Sequence, residues 1–514
     1  MSFAAKTRFH PLLWLLGLVL VLAWTQLGPS RGAPVVQLPA SKADIQPGSV
    51  LPHTYGGVEH FAMPARFNKS EPTIGNGTIS GTLHLFLKAA RWPDGHLRMK
   101  GFAFFESDSW PEHWRETAAL RWLGVRNVPE VYHQLRLGLR AGEGPQSGGW
   151  ERELSLQTAM CPGILSDGQG DNKGFDDCVA HMRERKEAYY DYPDISVDFG
   201  KTGSVAYELF LYNTPRYFSL AGLLAHAKPA EVAGSPPAQP SIHKIMPPVV
   251  PHGSISSAQG AQRLAWQAEH HAAIGFTSVI MYTYPDQALA LASEEVLQPL
   301  ISSGKVQLVA WDELALWEGV KIYDQQLVFA HGVLSFYGRW TYVFPADLDE
   351  FLIPATADAA LPAMLTTGCL SQQSECGILP GRAIFPHQAD PPTMSEPDLW
   401  AQPGPSPLRH YRYASKQGGL PKPVLNPNHV FPAAIHYTNV CTGVGSVADG
   451  SSTDKLASPC DQRRPCTAVV ESCAWVAHVI NMHRVRGPPE NATLLQPDWL
   501  WMSRSSAHAA VNSG

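Results

Sequence analysis

The chain has 514 residues with 39 lysines and arginines against 45 aspartates and glutamates, a net charge of −6, and only 16% charged side chains. It carries no long basic run, so the electrostatic footprint of nucleic-acid binding is missing and a nucleic-acid partner is excluded. A 44% hydrophobic content supplies ordinary cores for two or three domains, while 44 prolines and 43 glycines predict long irregular connections.

In chain order, the first feature is a basic end followed by an apolar run. Lys6, Arg8 and His10 precede Pro11 to Leu27, and Arg31 stands where a cleavage site ahead of Ala33 needs a small residue. Such a run is at the lower limit for spanning a hydrocarbon layer of about 30 Å. The reading is an uncleaved signal anchor over residues 1–33, with its tail in the cytosol and the remainder in the lumen of the Golgi or endoplasmic reticulum. A cleaved secretory peptide and a secreted protein form the alternative. Residues 34–57 read as a stem. Asn68, Asn76 and Asn491 head glycosylation acceptor triplets, and eight cysteines (Cys161, Cys178, Cys369, Cys376, Cys441, Cys460, Cys466, Cys473) suit disulfides in an oxidising compartment. The spacing of Cys460, Cys466 and Cys473 lacks the paired short gaps of a zinc site.

Residues 58–222 show a period of two. Leu83, Leu85 and Leu87 alternate with His84 and Phe86, and the same alternation marks Leu97 to Phe105, Leu135 to Leu139 and Val205 to Leu211. Alternating faces predict a β-rich, sandwich-like domain. Trp92, Trp110, Trp114 and Trp122 are candidates for stacking on sugar rings, with core packing as the other reading. A Pro/Gly/Ala-rich linker is expected over 223–242.

From residue 243 the pattern changes to alternating strand and helix. His243 to Val250 reads as a strand, Ala258 to Ile274 as a helix stopped by Gly275, and Phe276 to Tyr282 as a second strand. A helix from Ala288 to Ile301 closes at Gly304, and Lys305 to Trp311 forms a third strand. Asp324 takes an N-cap position ahead of a helix from Gln325 to Tyr337, and a fourth strand runs to Ala346. This alternation predicts an α/β, Rossmann-like domain over 243–495, with ligands at the carboxyl ends of parallel strands, and a tail over 496–514.

Asp347, Leu348 and Asp349 stand at such an end. Two carboxylates one residue apart at the mouth of a buried strand can hold a hard divalent cation and, through it, a diphosphate. A pair in a solvated turn is the alternative. Glu350, next in the chain, is expected to make a structural hydrogen bond, with orientation of the metal loop as the other reading.

The stretch from Ala265 to Gly275, with Met281-Tyr282, Tyr323-Asp324-Gln325-Gln326, Trp340 and Asp347 to Leu352, resembles glycosyltransferase family 92, the group that includes plant galactan synthases. The resemblance implies a GT-A fold and a nucleotide-sugar donor, with UDP-galactose the expected one. It further implies Mn2+ (or Mg2+) on Asp347 and Asp349, and inversion at the anomeric carbon. By analogy with such synthases the β-rich domain is a candidate glycan-binding module, with a packing domain that takes no ligand as the other reading.

The same resemblance places Tyr284 and Asp286 against the base or ribose, although the family's Tyr-Asp pair is interrupted here by Thr283, and Asp324 and Gln325 against donor sugar or phosphate. His483 is the expected third metal ligand, with His436 and His478 as rivals. Arg484 and Lys422 are candidates to offset the leaving diphosphate. An acceptor hydroxyl needs a carboxylate base, for which Glu396 and Asp390 are the candidates, with Asp398 beside them.

The expected partners are therefore a nucleotide-sugar donor, a glycan acceptor and the membrane through the N-terminal helix, with a homodimer as a candidate assembly. Two other functions compete with an inverting hexosyltransferase. One is a different Asp-x-Asp metal-dependent phosphoryl-transfer enzyme, and the other is an inactive glycan-binding membrane protein.

Overall fold

The computed structural model describes residues 50–52, 54–68, 78–107, 135–141, 151–154, 157–158, 193–201, 207–212, 217–231, 239–247, 257–311, 325–355, 360–371, 375–385, 400, 404–415, 419–430, 439–442, 462–479, 482 and 492–494. The expected anchor over 1–33 lies outside them. Among the described residues no helix is long and apolar enough to cross a membrane.

The period-two segments form strands. β1 (Glu59–Asn68), β2 (Thr78–Arg91), β3 (Leu97–Ser107) and a partner strand Pro193–Asp198 lie antiparallel side by side, and Leu137–Ala141 with Tyr207–Leu211 belongs to a second, four-stranded sheet. Leu85, Met99 and Ile195 from the first sheet share one core with Leu137, Leu209 and Leu211 from the second. The reverse face of β2 and β3 is not solvent-facing. Phe86, Phe102 and Phe104 pack with Tyr282, Trp311 and Phe329 from the α/β part of the chain, so β2 is buried on both sides.

Two lysines on that reverse face show how a polar side chain survives there. Lys88 and Lys100 sit directly opposite each other in the β2–β3 ladder, both buried. Lys88 donates to the Ser335 carbonyl at 2.6 Å, and Lys100 donates to the Val430 carbonyl. A buried ammonium needs such acceptors to offset lost hydration. Trp92 takes the core role of the two read from sequence: it packs on Tyr337, and the Arg98 guanidinium covers it 4.9 Å from the ring centre. Trp110, Trp114 and Trp122 lie outside the described residues. In the stretch expected as a linker, Lys228–Pro229 adds in parallel to the end of β2.

The α/β part is built on four consecutive parallel strands, β4 (Ser241–Met246), β5 (Ser278–Thr283), β6 (Val306–Ala310) and β7 (Thr341–Pro345), and the short strand Val50–Leu51, from the stretch expected as a stem, adds in parallel to the outer edge of β6. Their spatial order is β6-β5-β4-β7, so the order reverses between the first strand and the fourth. Helix α1 (Ser257–Ala273) lays Ala261, Leu264, Ala265 and Ala268 on Met246, Met281 and Leu308. Helix α2 (Gln325–Leu334) places Leu327, Phe329 and Val333 with Ile245, Ile280 and Val309. Neighbouring positions on one strand thus feed helices on opposite faces, as strand alternation requires. The sheet continues past β7 through antiparallel neighbours, so the whole is a mixed α/β structure with one large parallel and antiparallel sheet.

One expected helix is divided. In place of a helix over Ala288 to Ile301, two short ones cover Pro285–Ala292 and Gln298–Ser302. Pro299 has no N–H to bond the preceding turn, which confines it to the first turn of a new helix. Gly275 and Gly304 do end their helical segments, with φ of 100° and 72°. Beyond β7, strand β8 (Glu350–Pro354) pairs antiparallel with β11 (Ala474–His478), while β9 (Cys376–Phe385) pairs antiparallel with β10 (Gly419–Leu425) and parallel with β11. Disulfides Cys369–Cys473 and Cys376–Cys466 tie this antiparallel extension together.

Candidate functional site

Every residue of β7 is buried, and the ladder stops at Pro345. Ala346 donates to the Ile245 carbonyl at 3.0 Å, after which the chain turns through Asp347 to Glu350. The turn closes on itself. The Glu350 amide donates to the Asp347 carbonyl at 3.2 Å, and the Glu350 carboxylate accepts from the Asp347 amide at 2.8 Å. That is the structural hydrogen bond expected of Glu350. The turn sits at the carboxyl edge where strand order reverses, the place at which open α/β sheets bind ligands.

Beneath the turn lies a lysine that sequence reading missed. Lys244 on β4 is fully buried, and its ammonium donates to the Asp347 carbonyl at 2.9 Å, the Glu350 carbonyl at 2.6 Å and Gln267 Oε1 at 2.7 Å. Gln267, on α1, in turn donates to the Leu348 carbonyl. A first strand and a first helix therefore grip the backbone of the acidic turn from below. The available signal was a lone lysine inside an apolar strand, since lysine is almost never fully buried without partners.

The carboxylates themselves carry cations from two other strands. Lys422 on β10, fully buried, lies 2.9 Å from Glu350 Oε2 and 3.3 Å from Asp347 Oδ2. His478 at the end of β11 places Nε2 3.4 Å from Asp349 Oδ2. Its position follows from pairing: Glu350 and His478 are opposite each other in the β8–β11 ladder, and Val479 donates to the Asp349 carbonyl at 2.8 Å.

The charges shift accordingly. Burial pushes Asp347 up to about 6, against the pull of Lys422 and with help from the Glu350 and Asp349 charges. Burial would raise Glu350 too, but Lys422 and His478 outweigh it and hold that carboxyl below its usual range. Burial works to lower Lys422, yet Asp347 and Glu350 hold it above the ordinary lysine value. His478 is raised to about 8, the Asp349 charge prevailing over burial. Lys244 is pulled down to about 7 by burial, with the three carboxylates resisting. Arg263 on α1 also feels the Asp349 charge while donating to the Trp400 carbonyl at 3.3 Å.

Among the described residues no group of three or more His, Cys, Asp or Glu side chains stands ready-made as a metal site. The donor chemistry nonetheless suits a hard divalent ion. Asp347 and Asp349 offer carboxylate oxygens, His478 offers an imidazole nitrogen, and the Asp347 side chain is 31% exposed, open to solvent on one side. The residues fit the expected group, provided an arriving ion takes the carboxylates from their present partners.

The other sequence candidates fall as follows. Tyr284 is half-buried after β5, and Asp286 is exposed in the first turn of the Pro285–Ala292 helix, both at the same sheet edge as Asp347. Gln325 begins α2, whose entry residue Asp324 lies outside the described residues. His483, His436, Arg484, Asp390, Glu396 and Asp398 also lie outside them. His478, held as a rival ligand in the sequence, is the histidine that the described residues bring to the pair.

No curated protein and no solved structure matches this chain. A family model does: that of glycosyltransferase family 92, over residues 255–446. The matched span holds Asp347, Asp349, Glu350 and Lys422, and it stops short of Lys244 on one side and His478 on the other. The acidic turn thus lies inside the stretch that matches the glycosyltransferase family 92 model, and the resemblance carried by its motifs holds there.

Proposed function

We propose that the protein is a metal-dependent, inverting hexosyltransferase of GT-A architecture that moves galactose from UDP-galactose to a glycan acceptor in the secretory pathway. The observation that carries this reading is the position of Asp347 and Asp349. They stand at the carboxyl end of the fourth parallel strand, where strand order reverses, with His478 brought to the second of them.

In this reading Asp347, Asp349 and His478 hold Mn2+ or Mg2+, which when bound offsets negative charge developing on the leaving diphosphate. Lys244 and Gln267 hold the turn backbone, so the two carboxylates are presented without reorganisation at the moment of reaction. Tyr284 and Asp286, on the same sheet edge, are assigned to the nucleotide, with Asp324 and Gln325 toward the donor phosphates. Glu396 or Asp390 is assigned to accept the proton of the attacking hydroxyl. The two disulfides suit a luminal setting.

The test is UDP release by the full-length protein offered UDP-galactose, UDP-glucose or UDP-N-acetylglucosamine, with and without manganese. Expected are release that needs the ion, preference for UDP-galactose, and its loss in Asp349→Ala with the circular dichroism spectrum unchanged. Full activity in that variant removes the metal assignment, and manganese-independent cleavage of phosphate esters would favour phosphoryl transfer.

A further inference from the structure

The Lys422 ammonium touches two carboxylates that differ in every relevant respect. Glu350 is the nearer, at 2.9 Å, and its side chain is 3% exposed. Asp347 is the farther, at 3.3 Å, and 31% exposed. Glu350 is also committed to the turn through the Asp347 amide, whereas the Asp347 carboxylate is the one that an ion from solvent can reach.

We propose that Lys422 is a built-in cation that neutralises Asp347 in the metal-free protein and yields it to the divalent ion on loading, remaining on Glu350. The inference rests on the metal-dependent reading above. Lys422 is then a positioning residue acting through two carboxylates, and metal loading is an exchange of one cation for another.

Two physical arguments support it. Asp347, Asp349 and Glu350 crowd one turn, and leaving such charges unpaired while the strands assemble is strongly destabilising, so a luminal fold that forms before its metal arrives needs cations of its own. Lys422 supplies one from β10, locked in place with its ammonium also 5.8 Å from the centre of the Phe329 ring. In addition, a fixed positive charge within roughly 5 Å of a divalent ion opposes binding. At an effective dielectric constant of about 20 that opposition exceeds the free energy of a tenfold affinity change, even after screening removes much of it.

The experiment is direct titration of full-length wild type, Lys422→Arg, Lys422→Gln and Lys422→Met with manganese, reading free ion by electron paramagnetic resonance, with metal-free melting temperatures alongside. Lys422→Gln and Lys422→Met are expected to bind manganese roughly tenfold tighter or more than wild type and to melt lower without metal, while Lys422→Arg keeps wild-type affinity. Unchanged or weaker binding in folded Lys422→Gln overturns the exchange, and a lower melting temperature with unaltered affinity does so as well, because it marks a merely structural lysine. If Lys422→Met does not fold, Lys422→Gln, which keeps a donor for Glu350, carries the test. Wild type that binds no manganese is a separate result, which overturns the metal reading itself and the exchange with it.

Discussion

The Lys244 ammonium on the first parallel strand lies 2.6 Å from the carbonyl oxygen of Glu350, across the floor of the acidic turn. It serves two other acceptors as well, Asp347 O and Gln267 Oε1. Lys244→Met has nearly the same length but donates nothing, so it leaves buried oxygens unpaired, at about 1–3 kcal/mol for each unsatisfied group. Relief of the ammonium's own burial offsets part of this. The expected outcome is a lower urea midpoint with unchanged slope, corresponding to about 1–3 kcal/mol, together with a fall in UDP release larger than for a surface lysine variant. An unchanged midpoint would show that the grip on the turn contributes nothing.

His478 and Lys422 both face the carboxylates, yet their removal should act in opposite directions. If His478 ligates the ion, His478→Ala weakens manganese binding, by roughly tenfold to a hundredfold on the scale of metal-site substitutions. The β8–β11 ladder is a backbone structure and should survive. Manganese titration monitored by thermal shift checks both points, and tighter binding in His478→Ala would assign His478 to the competing cations instead.

Stability should fall in mild acid. His243 is buried, hydrogen-bonded to Ser278 at 2.8 Å and stacked on Phe336, and burial with the Arg339 charge holds it down to about 4. His271, wholly buried, lies well below the ordinary histidine value through burial and the nearby Lys244 and His270 charges. Both stay neutral in the fold while the unfolded chain takes up protons below about pH 6.5, so the contribution is complete above that pH and is lost as pH drops toward 4. For His243 the loss at pH 5 is on the order of 2 kcal/mol. His478 has the opposite sign, since its raised value favours the fold below about 6.5 and that contribution is lost as pH rises through about 8. Urea midpoints between pH 4.5 and 8.5 should therefore pass through a maximum, and a midpoint that climbs steadily into acid contradicts the buried neutral histidines.

Two glycines that end helical segments separate backbone conformation from packing. Gly304 has φ of 72° and open space where a side chain would go, so Gly304→Ala pays only for the left-handed conformation, about 1–2 kcal/mol. Gly275 has φ of 100°, and an added Cβ would come 2.6 Å from Cδ of Pro362. Gly275→Ala should therefore lose about 2–4 kcal/mol. Equal losses by urea denaturation would mean that Pro362 yields without strain.

The legible parts of this protein were those set by local chemistry. The strand and helix alternation after residue 243, the helix stops at Gly275 and Gly304, and the acidic pair at the end of an apolar strand all follow from periodicity and backbone preference within a few residues. Apolar spacing alone predicts one helix over Ala288 to Ile301, and Pro299, a residue just as local, divides it in two. The two-sided burial of β2 was harder to see, because alternation of Leu85 with Phe86 shows that faces differ and not what covers each one.

Residues near one another in the chain dictate a parallel α/β array, an acidic turn at the mouth of its fourth strand and a resemblance to glycosyltransferase family 92 over part of the chain, because those properties are written in neighbours along the backbone. Which cations meet at that turn was decided by tertiary structure. Lys244 arrives from residues about a hundred positions earlier, Lys422 from β10 and His478 from β11 through register with Glu350. Pairing of distant strands sets such meetings, and a shift of one residue in that pairing would turn His478 to the other face of the sheet.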